Sequence, residues 1–356
     1  MLVVKSKNFA TSSHLVCEDK GFVWSSTIPK DAVFADTGQR SFVELAKIFG
    51  YEVDAFIPEN YRNSADALGA SPPWYFYIGK EKFIARVQEY SATFRNFNKA
   101  FDRRKIQIQS CISEFIDLLE PATFDFGKVD KNLAAHFEKS IKPHLVGNIL
   151  PAPKYSRTKT KTGRMSVIEG PNVLTCHAGL RAGIVGAYQI DFISMEPNFL
   201  LNFIGKKPTP TLYDDIRRDI FQNKISRAKV KVATISALYG SDRSDKFAKN
   251  ISEYFKVDKV IKQLEEKISN DTIRNEYGRL INLQGARGRH LLSLWLQSSA
   301  ADGALFGFYN LYKGNDIKPL WIIHDALIFI DNDKAASIKE LDIGFNTILP
   351  VKVDKL

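Results

Sequence analysis

The sequence predicts an α+β protein of two or three units, and three observations carry that reading. Hydrophobic residues recur at alternating steps of four and three through Phe83, Val87, Tyr90, Phe94, Phe97 and Phe101, the period of a helix. Short apolar strands at 184–190, 320–324 and 327–330 each lead into or flank a carboxylate, at Asp191 and Asp325. A Pro72-Pro73 break separates these features from a leading segment of short strands. A chain of 356 residues has room for more than one core.

Residues 1–78 read as a small mixed α/β unit. Val3-Val4, Leu15-Val16 and Phe22-Val23-Trp24 are its strands, and Ser41 to Phe49 is its helix. Ser41 caps that helix and Gly50 stops it. Residues 81–119 read as one long helix whose apolar seam packs on a second helix. Lys82, Arg86, Arg95, Lys99 and Arg103-Arg104-Lys105 occupy its other faces. From Lys139 to Arg164 seven cations occur with no acidic residue between them, and Pro143, Pro151 and Pro153 keep the chain extended. A phosphate-tracking surface and an ordinary solvated linker both fit this strap.

Further on, the pattern predicts a strand over 184–190. Helices follow over Leu212–Gln222, Ser226–Leu238, Ser252–Ile268 and the small-residue-rich His290–Tyr312. Two strands then flank a tight turn at His324-Asp325.

The net charge of +10 suits an anionic partner without naming one. Cys17, Cys111 and Cys176 show no metal or disulfide spacing, and a reducing cytosol suits them. No apolar run approaches the roughly 18 residues of a membrane span, and Met1 to Phe9 is too polar for a signal peptide.

The chemistry concentrates in three places. Asp325 follows Trp321-Ile322-Ile323-His324 and precedes Ala326-Leu327-Ile328-Phe329-Ile330, an almost wholly apolar setting. A carboxylate there needs compensation, and a divalent cation supplies it. A simple turn-forming aspartate fits as well. Asp191 ends a second apolar strand, so two carboxylates on adjacent strands would suit a pair of Mg²⁺ ions. Arg227, Lys231, Ile235 and Tyr239 recur every four residues along one helical stripe. Two cations, an apolar side chain and an aromatic ring in that order suit a nucleotide; an ordinary amphipathic helix ending at Gly240 explains them equally.

Taken in order, these segments resemble family A DNA polymerases, the bacterial polymerase I and phage group. Thr162-Gly163-Arg164 matches the family's TGR segment. Asp191-Phe192-Ile193-Ser194-Met195-Glu196 matches motif A, D-Y-S-Q-I-E. Arg227, Lys231 and Tyr239-Gly240 match motif B, and His324-Asp325 matches motif C, V-H-D-E. Asp215-Ile216-Arg217-Arg218 is similar to D-I-H-R, and Gln297-Ser298-Ser299-Ala300-Ala301-Asp302 to Q-G-T-A-A-D. Six such matches in the family's order over 162–330 are specific together where each alone is weak.

The resemblance implies a right-hand fold: thumb and basic strap over 79–165, palm and fingers over 166–356 with fingers near 205–285, and residues 1–78 as an accessory unit. It implies a DNA-directed DNA polymerase of compact phage type, adding dNTPs to a primer 3′-hydroxyl, acting in DNA replication in a bacterial host's cytoplasm. Two Mg²⁺ ions, with Mn²⁺ as a substitute, would be held by Asp191, Asp325 and the carbonyl of Phe192. Glu196, Arg217, Arg227, Lys231 and Ile235 would meet the incoming nucleotide, with Glu196 crowding the ribose 2′-hydroxyl. Arg164, Asn172, Tyr239, Gln297 and His324 would contact primer–template DNA. Replication accessory proteins are further partners; a membrane is not.

Departures from the pattern bear on function. Ala326 replaces the carboxylate that usually follows the motif C aspartate, which implies altered metal affinity. Ile235-Ser236 and Tyr239-Gly240-Ser241 lean toward single-subunit RNA polymerases, whereas Glu196 and the TGR segment favour the DNA enzymes. A polymerase-like protein that only binds nucleic acid is a further reading, against which stand both retained aspartates. Residues 1–78 carry no D-x-E strand motif, so no proofreading exonuclease is expected.

Overall fold

A computed structural model describes residues 1–18, 21–240, 246–331 and 337–356, with Lys246 by its backbone alone. The chain forms two compact units, Met1–Asp117 and Leu118–Leu356.

In the first unit, strands β1 (Leu2–Val4), β2 (His14–Glu18), β3 (Gly21–Ser25) and β4 (Val33–Phe34) form a sheet in the order β3-β2-β1-β4. β1 and β4 are parallel and the other pairs antiparallel. Helix α1 (Phe42–Phe49) starts as expected: the Ser41 side chain accepts from the amide of Glu44, and Gly50 ends the helix in the left-handed region. Short helices α2 (Glu59–Ala67) and α3 (Trp74–Ile78) follow.

The single helix expected over 81–119 is two, α4 (Lys80–Ala100) and α5 (Arg103–Asp117). Phe101 is extended, at φ −126° and ψ 156°, and Asp102 caps the new helix by accepting from the amides of Arg104 and Lys105. Turning the chain there packs the Phe101 ring on Phe49, Tyr51 and Phe97. The expected seam is buried, yet it does not meet one partner helix. Phe94 and Tyr90 meet Phe42, and Phe83 meets Phe56, edge to face at 5.0, 5.4 and 5.6 Å. Those contacts set the unit boundary. Residues 79–117 share a core with 1–78, so the expected division at 78/79 falls instead at 117/118, and the stretch expected as one thumb is divided.

The second unit opens with strand β5 (Ala122–Thr123), helix α6 (Ala134–Ser140) and strand β6 (Ile149–Leu150), the two strands pairing. The basic strap then departs from expectation. Strands β7 (Lys154–Ser156) and β8 (Ser166–Glu169) pair as a hairpin. Lys142 and Lys154 are neutralised by Glu138 and Glu169, which flank the cationic run. Arg157 is fully buried, so it forms no part of a phosphate-tracking surface.

The central sheet runs β12-β13-β9-β15-β14. Its strands are β9 (Ala187–Phe192), β12 (Ile317–Ile323), β13 (Ala326–Asp331), β14 (Glu340–Asp342) and β15 (Ile348–Lys355), with β9 paired antiparallel to β13 and β15. β9 starts three residues later than expected, because Val185-Gly186 form a turn with Gly186 at a left-handed φ of 71°. After β9 the chain runs through helices α7 (Met195–Phe203), α8 (Leu212–Asp219), α9 (Arg227–Tyr239), α10 (Lys246–Tyr254) and α11 (Val257–Glu265). The helix expected over 252–268 is broken, since Lys256 adopts a left-handed φ of 50° beside the buried Phe255. A hairpin of β10 (Thr272–Arg274) and β11 (Leu280–Asn282) precedes the 27-residue α12 (Gly288–Gly314). The small residues of α12 permit close approach to the sheet: a Cβ on Gly307 would lie 3.0 Å from the Phe192 ring. No helix among the described residues is long and apolar enough to cross a membrane.

Candidate active site

Side chains alternate across a strand, so Phe192 and Ile190 face one side of the sheet while Asp191 and Gln189 face the other. Phe192 packs on Phe308 of α12 with ring centroids 5.6 Å apart. The burial of that side leaves Asp191 on the opposite face, half-buried.

Asp325 reaches the same place from β12 and β13. Ile323 pairs with Ala326, so His324 and Asp325 form a two-residue turn, with His324 at φ 57°. Histidine tolerates that left-handed conformation better than most side chains. Ala326 stands directly opposite Asp191 in the β13–β9 register, and the Phe192 amide donates to the Asp325 carbonyl at 3.3 Å. The two carboxylates expected on adjacent strands therefore are neighbours.

Their electrostatics follow from that closeness. Burial, and next the charge of Asp325, push the Asp191 carboxyl up to about 6; Asp354 adds to the rise, while Arg181 and Lys231 oppose it. Asp325 is raised too, by burial and then by Glu196, against the pull of His324 and Arg164. Two carboxyls held above their ordinary range are poised to gain from a cation.

A cleft opens at this turn, lined by Arg164, Glu196, Gln297, Ala301, His324 and Asp325 among others. Arg164 donates to Glu196 at 2.7 Å. Glu196 lies in the first turn of α7, and Gln297 lies on α12, donating to Ser293 at 3.1 Å. Tyr239, at the end of α9, is held above its ordinary pKa by burial and then by the charge of Glu196. Lys231, two turns earlier, is exposed and acts on Asp191. Ile235 lies half-buried between Lys231 and Tyr239 on that helix.

Other expected residues stand differently. Arg227 is paired with Asp214 at 3.2 Å and lies over the Tyr213 ring. Arg217 donates its Nε to the carbonyl of Ile225 at 2.9 Å, bracing the α8–α9 connection. Asn172 is exposed on a turn and does not line the cleft. Ser241 lies outside the described residues.

Several residues at the site have no counterpart among the sequence-derived candidates. Arg181, in the turn before β9, donates to Gln189 at 3.0 Å and is drawn toward Asp191. On β15, Lys352 lies opposite Asp191 and Asp354 opposite Gln189, so both share the Asp191 face. Buried Tyr213 couples to Glu196 and Asp325. The alternation Val351-Lys352-Val353-Asp354 was the available signal for β15.

Among the described residues no group of three or more His, Cys, Asp or Glu side chains is gathered to hold a metal ion. Two hard carboxylates suit a Mg²⁺ ion that keeps waters and shares substrate phosphates.

The structure is similar to a solved structure of the POL domain of Pol1 from M. smegmatis in complex with DNA primer-template and dNTP. Identity is 15%, the TM-score is 0.42, and the match covers 86% of this chain and 56% of that one. The chain thus spans little more than half the length of that structure. No family model matches the chain, and no curated protein matches it.

Proposed function

We propose that the chain is a template-directed DNA polymerase that adds dNTPs to a primer 3′-hydroxyl. The observation that carries the reading is the pairing of β9 with β13, which brings Asp191 within the electrostatic reach of Asp325, the residue that itself lines the cleft. The ordered resemblance of six segments to family A polymerases supports it, as does the charge of +10 for an anionic template. In this reading the five-stranded sheet is the palm, and the segment from α8 to β11 supplies the fingers.

Asp191, Asp325 and the Phe192 carbonyl would hold two Mg²⁺ ions. Such ions lower the pKa of the attacking hydroxyl and neutralise charge on the leaving pyrophosphate. The chain's own groups do the rest. Lys231 meets the triphosphate as a point charge near Asp191, and Arg227 assists after exchanging Asp214 for phosphate. Glu196 sits where a ribose 2′-hydroxyl would intrude. Arg164, Gln297 and His324 line the side of the cleft suited to the primer terminus. Tyr239 offers a ring to the templating base.

The test is primer extension on a DNA primer–template with dNTPs or NTPs, in Mg²⁺ and in EDTA. Extension with dNTPs that EDTA abolishes is the expected result. Absence of extension in Mg²⁺ and in Mn²⁺ overturns the reading, and unprimed synthesis from NTPs replaces it with an RNA polymerase.

A further inference from the structure

Beneath the Thr162-Gly163-Arg164 segment lies a buried ionic network that no step above uses. Arg279 follows the β10–β11 turn, and Asp302 is on α12; their side chains are 4% and 0% exposed. Arg279 donates Nε and Nη2 to the two Asp302 oxygens at 2.9 and 2.7 Å. Its Nη1 donates to the Arg157 carbonyl at 2.9 Å, reaching the start of the loop that carries Arg164. Asn275 donates to the same carboxylate at 2.8 Å. With its three donor nitrogens engaged, the guanidinium is immobile.

The far end of the same loop rests on that guanidinium. Gly163 has a φ of +72°, and a Cβ there would lie 2.3 Å from Arg279 Cζ and Nε. Only glycine meets both demands. The Gly163 amide donates to the Thr160 carbonyl at 3.2 Å, and the Thr160 hydroxyl donates to the Arg164 carbonyl at 2.7 Å. Lys161 is tied to Gln284 on the far side. What emerges from this clamped turn is the Arg164 side chain, bonded to Glu196 at the cleft.

We infer that Arg279 and Asp302 are positioning residues: their buried pair seats Gly163 and thereby aims Arg164 at Glu196. Neither touches the reacting groups, and both act through Arg164. The kinetic part of this inference rests on the polymerase reading; the structural part does not.

The experiment has two arms. In ¹⁵N-arginine-labelled protein, the Arg164 guanidinium signal is assigned by its absence in Arg164→Lys. Gly163→Ala should move that signal toward a freely exchanging arginine, and Arg279→Lys should do so while the protein still melts cooperatively. Because Arg279→Lys replaces the fork-held guanidinium, against which the new methyl collides, with an unbranched flexible stem that can swing aside, the double variant should be less disturbed than the two single effects summed. In the second arm, Gly163→Ala should lower kcat/KM for dNTP by about tenfold or more, within the ~100-fold that a 1 Å misplacement costs. In an Arg164→Ala background the same change should have almost no further effect. An Arg164 signal unmoved in both Gly163→Ala and Arg279→Lys overturns the inference, as does a Gly163→Ala penalty undiminished in the Arg164→Ala background. Wild-type extension reports on the polymerase reading alone, whereas the arginine signal reports on the clamp whatever the protein catalyses.

Discussion

The backbone amide of Phe192 donates to the carbonyl of Asp325 at 3.3 Å, which joins the end of β9 to the turn between β12 and β13. This bond brings two residues far apart in the chain close enough for the charge of Asp325 to act on the Asp191 carboxyl. Both are raised by burial and by neighbouring negative charge.

The metal-free protein should therefore show a pH-dependent cost at Asp191. Burial and the charge of Asp325 push its carboxyl up to about 6 in the folded state, from an ordinary 3.8 in the unfolded chain. Between those values the folded state holds a proton that the unfolded state lacks, so stability falls as pH rises through the window. Asp191→Asn should raise the melting temperature at pH 7.5 and have little effect at pH 4, measured in EDTA. Mg²⁺ should stabilise the wild type and not the variant, and extension should fall by at least the ~100-fold typical of losing even an outer-shell partner at a metal site. Asp354→Asn should lower the Asp191 pKa, followed by carboxylate NMR.

Lys231 and Arg227 should differ in weight. Lys231 is exposed and senses Asp191, whereas Arg227 is already paired with Asp214. Lys231→Ala should raise KM for dNTP and lower kcat, and Arg227→Ala should do the same less severely. Primer–template affinity should stay within about fivefold in both, since an exposed ion pair is worth only about 0–1 kcal/mol. Steady-state kinetics and fluorescence anisotropy check this.

Glu196 should govern sugar choice. It lines the cleft beside Asp325 and is held by Arg164 at 2.7 Å. Glu196→Ala should raise kcat/KM for ATP relative to dATP, because discrimination built on a steric clash disappears with the clashing group. The overall rate should also drop, since Arg164 loses its partner. Equal use of ATP and dATP by the wild type would remove this role.

Tyr155 should matter for stability and little for chemistry. Its buried hydroxyl donates to the Ile322 carbonyl at 2.7 Å and accepts from the Ile322 amide at 3.0 Å, next to an irregularity in β12. Tyr155→Phe strands two buried backbone groups, a cost of about 1–3 kcal/mol each at most. Urea unfolding should show that loss, with kcat for the folded enzyme within about threefold.

Local patterns made part of this legible. Ser41 and Gly50 mark the ends of α1 because capping chemistry lies within a few residues. The four-residue stripe of Lys231, Ile235 and Tyr239 lies on α9 as its period requires. Other features were hidden by the same locality. The period through Phe101 continues smoothly, and only the Asp102 cap and the packing of Phe101 on Phe49 end the helix there.

The sequence by itself determined which carboxylates end apolar strands and which faces of α4 and α9 are apolar or charged, since alternation and helical period are properties of neighbouring residues. Only the tertiary structure decided that Asp191 lies opposite Ala326, that β15 brings Lys352 and Asp354 to the same face, and that residues 79–117 belong with the first unit. It also decided that Arg157, one cation in a run of seven, is buried beside Asp302 and Arg279 while Arg164 reaches the cleft. The reason is physical. A buried charge survives only where distant parts of the chain supply its counter-charge and hydrogen bonds, and strand register is set by partners far away in sequence.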